Sequence, residues 1–151
     1  MQKLTTSIHI NAPVKKVWDT MLDPVTYAEW TAPFNPGGST YQGNWEQGSE
    51  IRFIGPDPKT GEEGGMFSRI AENRLHEFIS IEHIGIIKNG IVDTTSDEVK
   101  KWAPAFENYT FTEKDGGTEV VVEMDVDEDY KAMFEEMWPK ALQSLKELAE
   151  R

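Results

Sequence analysis

The clearest alternation of apolar and polar positions lies in "FENYTFTEKDGGTEVVVEM", residues 106–124. It predicts two strands joined by a tight turn around Asp115-Gly116-Gly117. Setting Glu113 opposite Thr118 brings Phe111 opposite Val120, Tyr109 opposite Val122 and Glu107 opposite Met124. One face of the hairpin then carries aromatics, valines, a methionine and a carboxylate, and its apolar members make it the inner face.

A different period governs the C-terminal stretch. From Tyr130 the apolar residues Met133, Phe134, Met137, Trp138, Ala141, Leu142, Leu145 and Leu148 recur at helical spacing, which predicts one long amphipathic helix. Pro139 in its middle removes the bond to the carbonyl of Glu135, so a kink is expected near 135–139. The acidic run "DVDEDY" at its start complements the helix dipole, and it lacks the glycine and closing glutamate of a calcium loop.

Between the N-terminus and the hairpin the pattern changes several times. Residues 3–11 alternate as a strand, Pro13 suits the first turn of a helix carrying Val14, Val17, Trp18 and Met21, and Asp23-Pro24 restarts a short helix with Tyr27 and Trp30. From 39 to 84, "STYQGNW", "EIRFIG", "GMFSRIAE" and "LHEFISIEHIG" read as strands separated by the Gly48-Ser49 turn, the loop "GPDPKTGEEGG" and a turn near Asn73-Arg74. The inward phase of 66–84 depends on whether the last turn has two or three residues, because a one-residue slip exchanges the faces. Residues 86–104 interrupt the meander with a short helix started by Thr95 and Glu98 at capping-box spacing and ended before Pro104. So long an insert is expected to cover something.

These elements make one α+β domain over 1–151: a curved antiparallel sheet of about six or seven strands wrapped on the long C-terminal helix, with two short helices after the first strand. Composition narrows its use. A net charge of -12 argues against nucleic acid or an anionic membrane surface as partner, since both need clustered Lys and Arg. The chain has no cysteine, so disulfides, thiolate nucleophiles and cysteine-based zinc sites are excluded. The first residues lack the apolar core of a signal peptide and no apolar run reaches the ~18 residues of a membrane span, so a cytoplasmic location without membrane insertion is expected.

"INAPVKKVWDTMLDPVTYAEW" resembles the opening signature of the SRPBCC superfamily, the helix-grip domains that include START, Bet v allergen and polyketide-cyclase-like members. Within it, "YTFTEKDGGTEVVVE" and "MWPKALQSLKEL" are similar to the branch related to the C-terminal domain of the heat-shock-protein-90 ATPase activator. The resemblance implies a deep, mostly apolar cavity between sheet and helix, used by many relatives for lipids, hormones or polyketides. The residue pattern supplies a lining for a cavity of roughly 300 Å³ or more. Tyr109, Phe111, Val120, Val122 and Met124 come from the hairpin and Met133, Met137 and Trp138 from the helix, with Phe67, Phe78 and Ile81 added from the meander. The same residues at the same spacing also describe a filled core.

Glu107 is the singular residue of that lining. Buried without a partner it would have a raised pKa, unless Arg52, Arg69 or His83 meets it; at the sheet edge it would lie in water or pair with Lys100 or Lys101. His9, His76 and His83 are scattered over three strands with no acid at ligand spacing, so no metal site or cofactor is expected. Between Glu113 and Glu136 ten acidic residues face Lys114 and Lys131, a solvated face or a surface for a basic partner.

Three function classes fit. A binder of a small hydrophobic molecule, lipid, isoprenoid or polyketide-like, predicts a closed pocket with 86–104 as its lid and Trp102 and Phe106 near the mouth. A protein-interaction or chaperone-cofactor-like module predicts an exposed patch formed by Trp30, Phe34 or Trp45. A cyclase- or hydratase-like enzyme needs an acid and a base converging in the pocket, for which Glu107 with His83 or Tyr109 is the available set.

Overall fold

A computed structural model describes residues 1–35, 39–56 and 61–151. Part of the loop read at 55–65 lies outside the described residues. β1 (Gln2–Ile10) is followed by α1 (Val14–Leu22) and α2 (Pro24–Trp30), then by β2 (Thr40–Gly43), β3 (Glu50–Pro56), β4 (Glu63–Arg74), β5 (Phe78–Lys88) and β6 (Ile91–Asp93). The short α3 (Asp97–Lys100), the hairpin β7 (Ala105–Lys114) and β8 (Gly117–Val126), and α4 (Glu128–Ala149) complete the chain.

The strands form one antiparallel sheet in the order β1-β8-β7-β5-β4-β3-β2, with β6 paired to the far end of β5. The predicted hairpin register holds residue for residue: Glu107, Tyr109, Phe111 and Glu113 stand opposite Met124, Val122, Val120 and Thr118. α4 runs through Pro139 without interruption, packs along β1 and α1, and buries Trp138, Ala141, Leu142, Leu145 and Ala149 in the main core. Asp127 caps it by accepting from the backbone N–H of Asp129, and Glu128 and Asp129 fill its first turn. The acidic run therefore serves the helix start. Pro13 is the residue before α1 rather than part of its first turn, and Asp23 caps α2 through the N–H of Val25.

The meander departs from expectation in three places. The turn after β4 is Leu75-His76-Glu77, with His76 at φ 61, so β5 starts at Phe78 and not at Leu75. β5 also runs on through Ile86, Ile87 and Lys88 before Asn89 and Gly90, both at positive φ, turn the chain into β6. The first third of the expected insert is thus a hairpin. α3 is capped by Ser96, one residue beyond the predicted Thr95. Register shifts between Phe67 and Ser68 and between Ile70 and Glu72 bend β4 and β5, giving the sheet the curvature that wraps it around α4.

Candidate functional site

The two halves of α4 behave differently, and that difference creates the site. Trp138 is 2 % exposed, whereas Met133, little more than a turn earlier, is 41 % exposed. Beneath the less buried N-terminal half lies a cavity of about 360 Å³. α4 contributes Met133, Phe134 and Met137, α2 and the segment after it Tyr27, Phe34, Asn35 and Ser39, and the sheet Phe53, Ile54, Gly55, Gly64, Gly65 and Met66. The glycines let the wall close: a Cβ on Gly65 would lie 1.7 Å from the carbonyl oxygen of Phe53. Rings of Tyr27, Trp30, Tyr41, Trp45 and Phe53 stack against one another along one side, and Phe34 packs against Trp138 at 4.9 Å.

Next to this apolar space the sheet carries a chain of polar side chains. Ser68 on β4, His83 on β5 and Glu107 on β7 stand on adjacent strands. The Ser68 hydroxyl lies 2.7 Å from Nδ1 of His83, and Nε2 of His83 lies 3.0 Å from Oε1 of Glu107. The Tyr109 hydroxyl donates to the other oxygen of the same carboxylate. Since an ionised carboxylate only accepts, Nε2 of His83 carries the hydrogen of that bond. Burial pushes the Glu107 carboxyl up, but the hydrogen bond and charge of His83 and the hydrogen bond from Tyr109 outweigh it, so its pKa lies below the usual carboxylate value. Burial, then the charge of Glu107, pushes the phenols of Tyr109 and Tyr27 upward, so both remain protonated donors.

Glu107 is therefore neither at the sheet edge nor paired with Lys100 or Lys101. Of its three suggested inward partners, His83 takes the place; Arg69 pairs with Glu82 at 2.7 Å and Arg52 lies over the Phe67 ring. His83 and Glu107 keep only 12 % and 18 % of their side-chain surface, while Ser68 is fully buried.

The sequence-predicted lining divides into groups. Met133 and Met137 line the cavity, and Trp138 stands behind it, donating from its indole N–H to the sulfur of Met124 at 2.9 Å. Tyr109, Phe111, Val120, Val122, Met124 and Ile81 are buried members of the packed core. Phe67 and Phe78 lie one step out of phase with the inward residues Met66 and Ile79, each beneath an arginine, Arg52 and Arg74. Phe106 alternates with Glu107 and so stands on the other face of β7, where its N–H donates to Asp125. Trp102 is half-buried after α3, and α3 packs on β5 with Val99 fully buried. None of residues 86–104 lines the cavity, so the insert is not its lid. Trp30 is buried and Phe34 and Trp45 pack against the core, so these residues form no exposed patch.

Sequence reasoning missed Tyr27, Phe53 and Met66 as lining and Ser68 as the third member of the polar chain. Period-2 alternation in "EIRFIG" placed Phe53 on the face of Ile51, but only the bulges in β4 bring Ser68 level with His83. Among the described residues no group of acids and histidines could hold a metal ion, and no helix is long and apolar enough to cross a membrane.

A family model described as "Activator of Hsp90 ATPase homolog 1-like protein" matches residues 11–150. No curated protein matches this sequence. Solved structures with the same fold include an uncharacterized protein from Rhizobium leguminosarum, 17% identical, TM-score 0.72, covering 99% of this chain and 95% of its own. A protein from Cytophaga hutchinsonii, solved in solution, is 21% identical over 99% of this chain and 94% of its own, with TM-score 0.72. One from Nitrosomonas europaea is 16% identical, covers 97% and 92%, and has TM-score 0.72.

Proposed function

This chain belongs to the activator of Hsp90 ATPase homolog 1-like family, and we propose that it holds a small hydrophobic molecule, of lipid, isoprenoid or polyketide-like character, between sheet and C-terminal helix. The observation that carries this reading is the cavity of about 360 Å³ walled by Tyr27, Phe34, Phe53, Met66, Met133, Phe134 and Met137. Its volume falls in the range of small-molecule sites, and its methionine and aromatic lining suits irregular apolar shapes. The residues proposed from sequence contribute in two ways: Met133 and Met137 touch the ligand, while Tyr109, Phe111, Val122, Met124 and Trp138 form the rigid core beneath it. Native mass spectrometry of protein purified gently from its own cells, followed by a thermal-shift screen with lipids, isoprenoids and aromatic polyketides, tests the reading. A co-purified molecule, or stabilisation that grows with ligand concentration, supports it; protein that is bare and indifferent to every compound refutes it.

A second reading rests on the Glu107–His83 contact. A carboxylate and an imidazole hydrogen-bonded beside an apolar cavity are the pair a proton-shuttling enzyme of the cyclase or hydratase kind requires. It predicts turnover of the captured molecule that His83→Gln removes while binding persists. Capture without turnover by the natural protein leaves binding as the function.

A further inference from the structure

The cavity and the polar chain are linked through Tyr27 and Phe53. Both line the cavity, their rings stack at 6.1 Å, and the Phe53 ring meets the imidazole of His83 edge-on at 6.0 Å. Glu107 stands on the concave face of β7 with Tyr109, so the part of its surface that stays accessible opens toward the space between sheet and helices. A carboxylate offers about four lone-pair sites. His83 and Tyr109 occupy two of them, which leaves acceptor capacity at the inner end of the site.

Charge around the cavity has one sign. Among the described residues, no lysine, arginine or histidine lines it. Arg52 lies over Phe67 on the opposite face, Arg69 is held by Glu82, and Lys131, a turn before Phe134, is not among the lining side chains. The rim is acidic: Glu63 precedes the wall glycines Gly64 and Gly65, and Asp127, Glu128 and Asp129 begin the helix that carries Met133. The charge of Glu107 also reaches the cavity wall, where it adds to burial in raising the pKa of Tyr27.

We infer that the site selects an uncharged hydrophobic ligand whose inner end is a hydrogen-bond donor, such as an alcohol or phenol, and turns away carboxylates of the same shape. This rests on the cavity reading given above. A hydroxyl placed beside Glu107 gains a charge-assisted hydrogen bond. A carboxylate placed there would leave a buried charge without a cation and set it against a second one.

The test is calorimetric titration of the full chain at neutral pH with hexylbenzene, para-hexylphenol and para-hexylbenzoate, three molecules that share a tail and differ in the head. The phenol is expected to bind at least about tenfold tighter than the benzoate, a difference of about 1.4 kcal/mol. In Glu107→Gln, which keeps the side-chain shape and removes the charge, that ratio is expected to narrow. Should the variant not fold, the ratio in the natural protein decides alone. Hexylbenzene bound together with an equal or tighter benzoate overturns the head-group selection and leaves the cavity standing. Binding of none of the three overturns both.

Discussion

The imidazole of His83 and the carboxylate of Glu107 meet at 3.0 Å across neighbouring strands, although the residues lie 24 positions apart in the chain. The contact exists because β5 pairs with β7 in a register that sets Ile81 opposite Glu107 and His83 opposite Ala105, so the two side chains stand diagonally on one face. Ser68 then fills the other side of the imidazole. A buried acid that would otherwise be costly becomes a satisfied one.

Glu107→Gln is expected to destabilise the protein by about 1.5–3 kcal/mol at neutral pH, the worth of hydrogen bonds to a charged group. The pH dependence follows from the sign of the shift. The folded-state pKa of Glu107 lies below its model value of 4.5, so its contribution is present above that value and is lost as pH falls through the folded pKa. The gap between natural protein and variant should be constant above about pH 5 and close in acid. Denaturation midpoints measured across pH check this; a gap that instead widens in acid would assign Glu107 a raised pKa.

Along α4 the cost of truncation should drop sharply within two turns. Trp138→Ala removes an indole that is 2 % exposed, packs against Trp30, Phe34 and Tyr109, and hydrogen-bonds Met124; it should cost about 3–5 kcal/mol. Met133→Ala should change stability by less than about 0.5 kcal/mol while weakening ligand binding. Urea denaturation compares the pair, and similar costs at the two positions would contradict an open cavity under the N-terminal half of the helix.

Gly65→Ala tests the wall. The added Cβ would fall 1.7 Å from the Phe53 carbonyl oxygen, a backbone atom that cannot move without parting β3 from β4. A loss of at least about 2 kcal/mol is expected, at the upper end of single substitutions. Thermal unfolding of this variant beside Gly90→Ala, where nothing lies within 4 Å and only left-handed backbone is at stake, separates the close approach from the general cost of losing a glycine.

The hairpin β7–β8 could be read to the residue because a tight turn fixes register and a period of two then fixes the face. The start of β5 could not, since Leu75 continues the apolar alternation and nothing local shows that His76 adopts left-handed backbone. Asn89-Gly90 is the opposite case: the dipeptide is a strong hairpin signal, and it marks the turn that makes Ile86 and Ile87 part of β5. For the site, Glu107, His83, Tyr109, Met133 and Met137 could be named from residue type and phase. Ser68, Tyr27, Phe53 and Met66 depend on two bulges and on how α2 docks, which are properties of the packed sheet. The cavity itself is a mismatch of shapes between β3, β4 and the first turns of α4, and a linear pattern carries no shape.

Six methionines offer the most direct probe of whether that mismatch holds a ligand. Met66, Met133 and Met137 line the cavity, Met21 and Met124 are buried in the core, and Met1 is exposed at the terminus. In protein with isotope-labelled methionine methyls, titration with hexylbenzene should move the signals of Met66, Met133 and Met137 together and leave those of Met1, Met21 and Met124 in place. Signals that all stay fixed, or a response confined to Met21 and Met124, would mean that the space between sheet and helix is not a binding cavity.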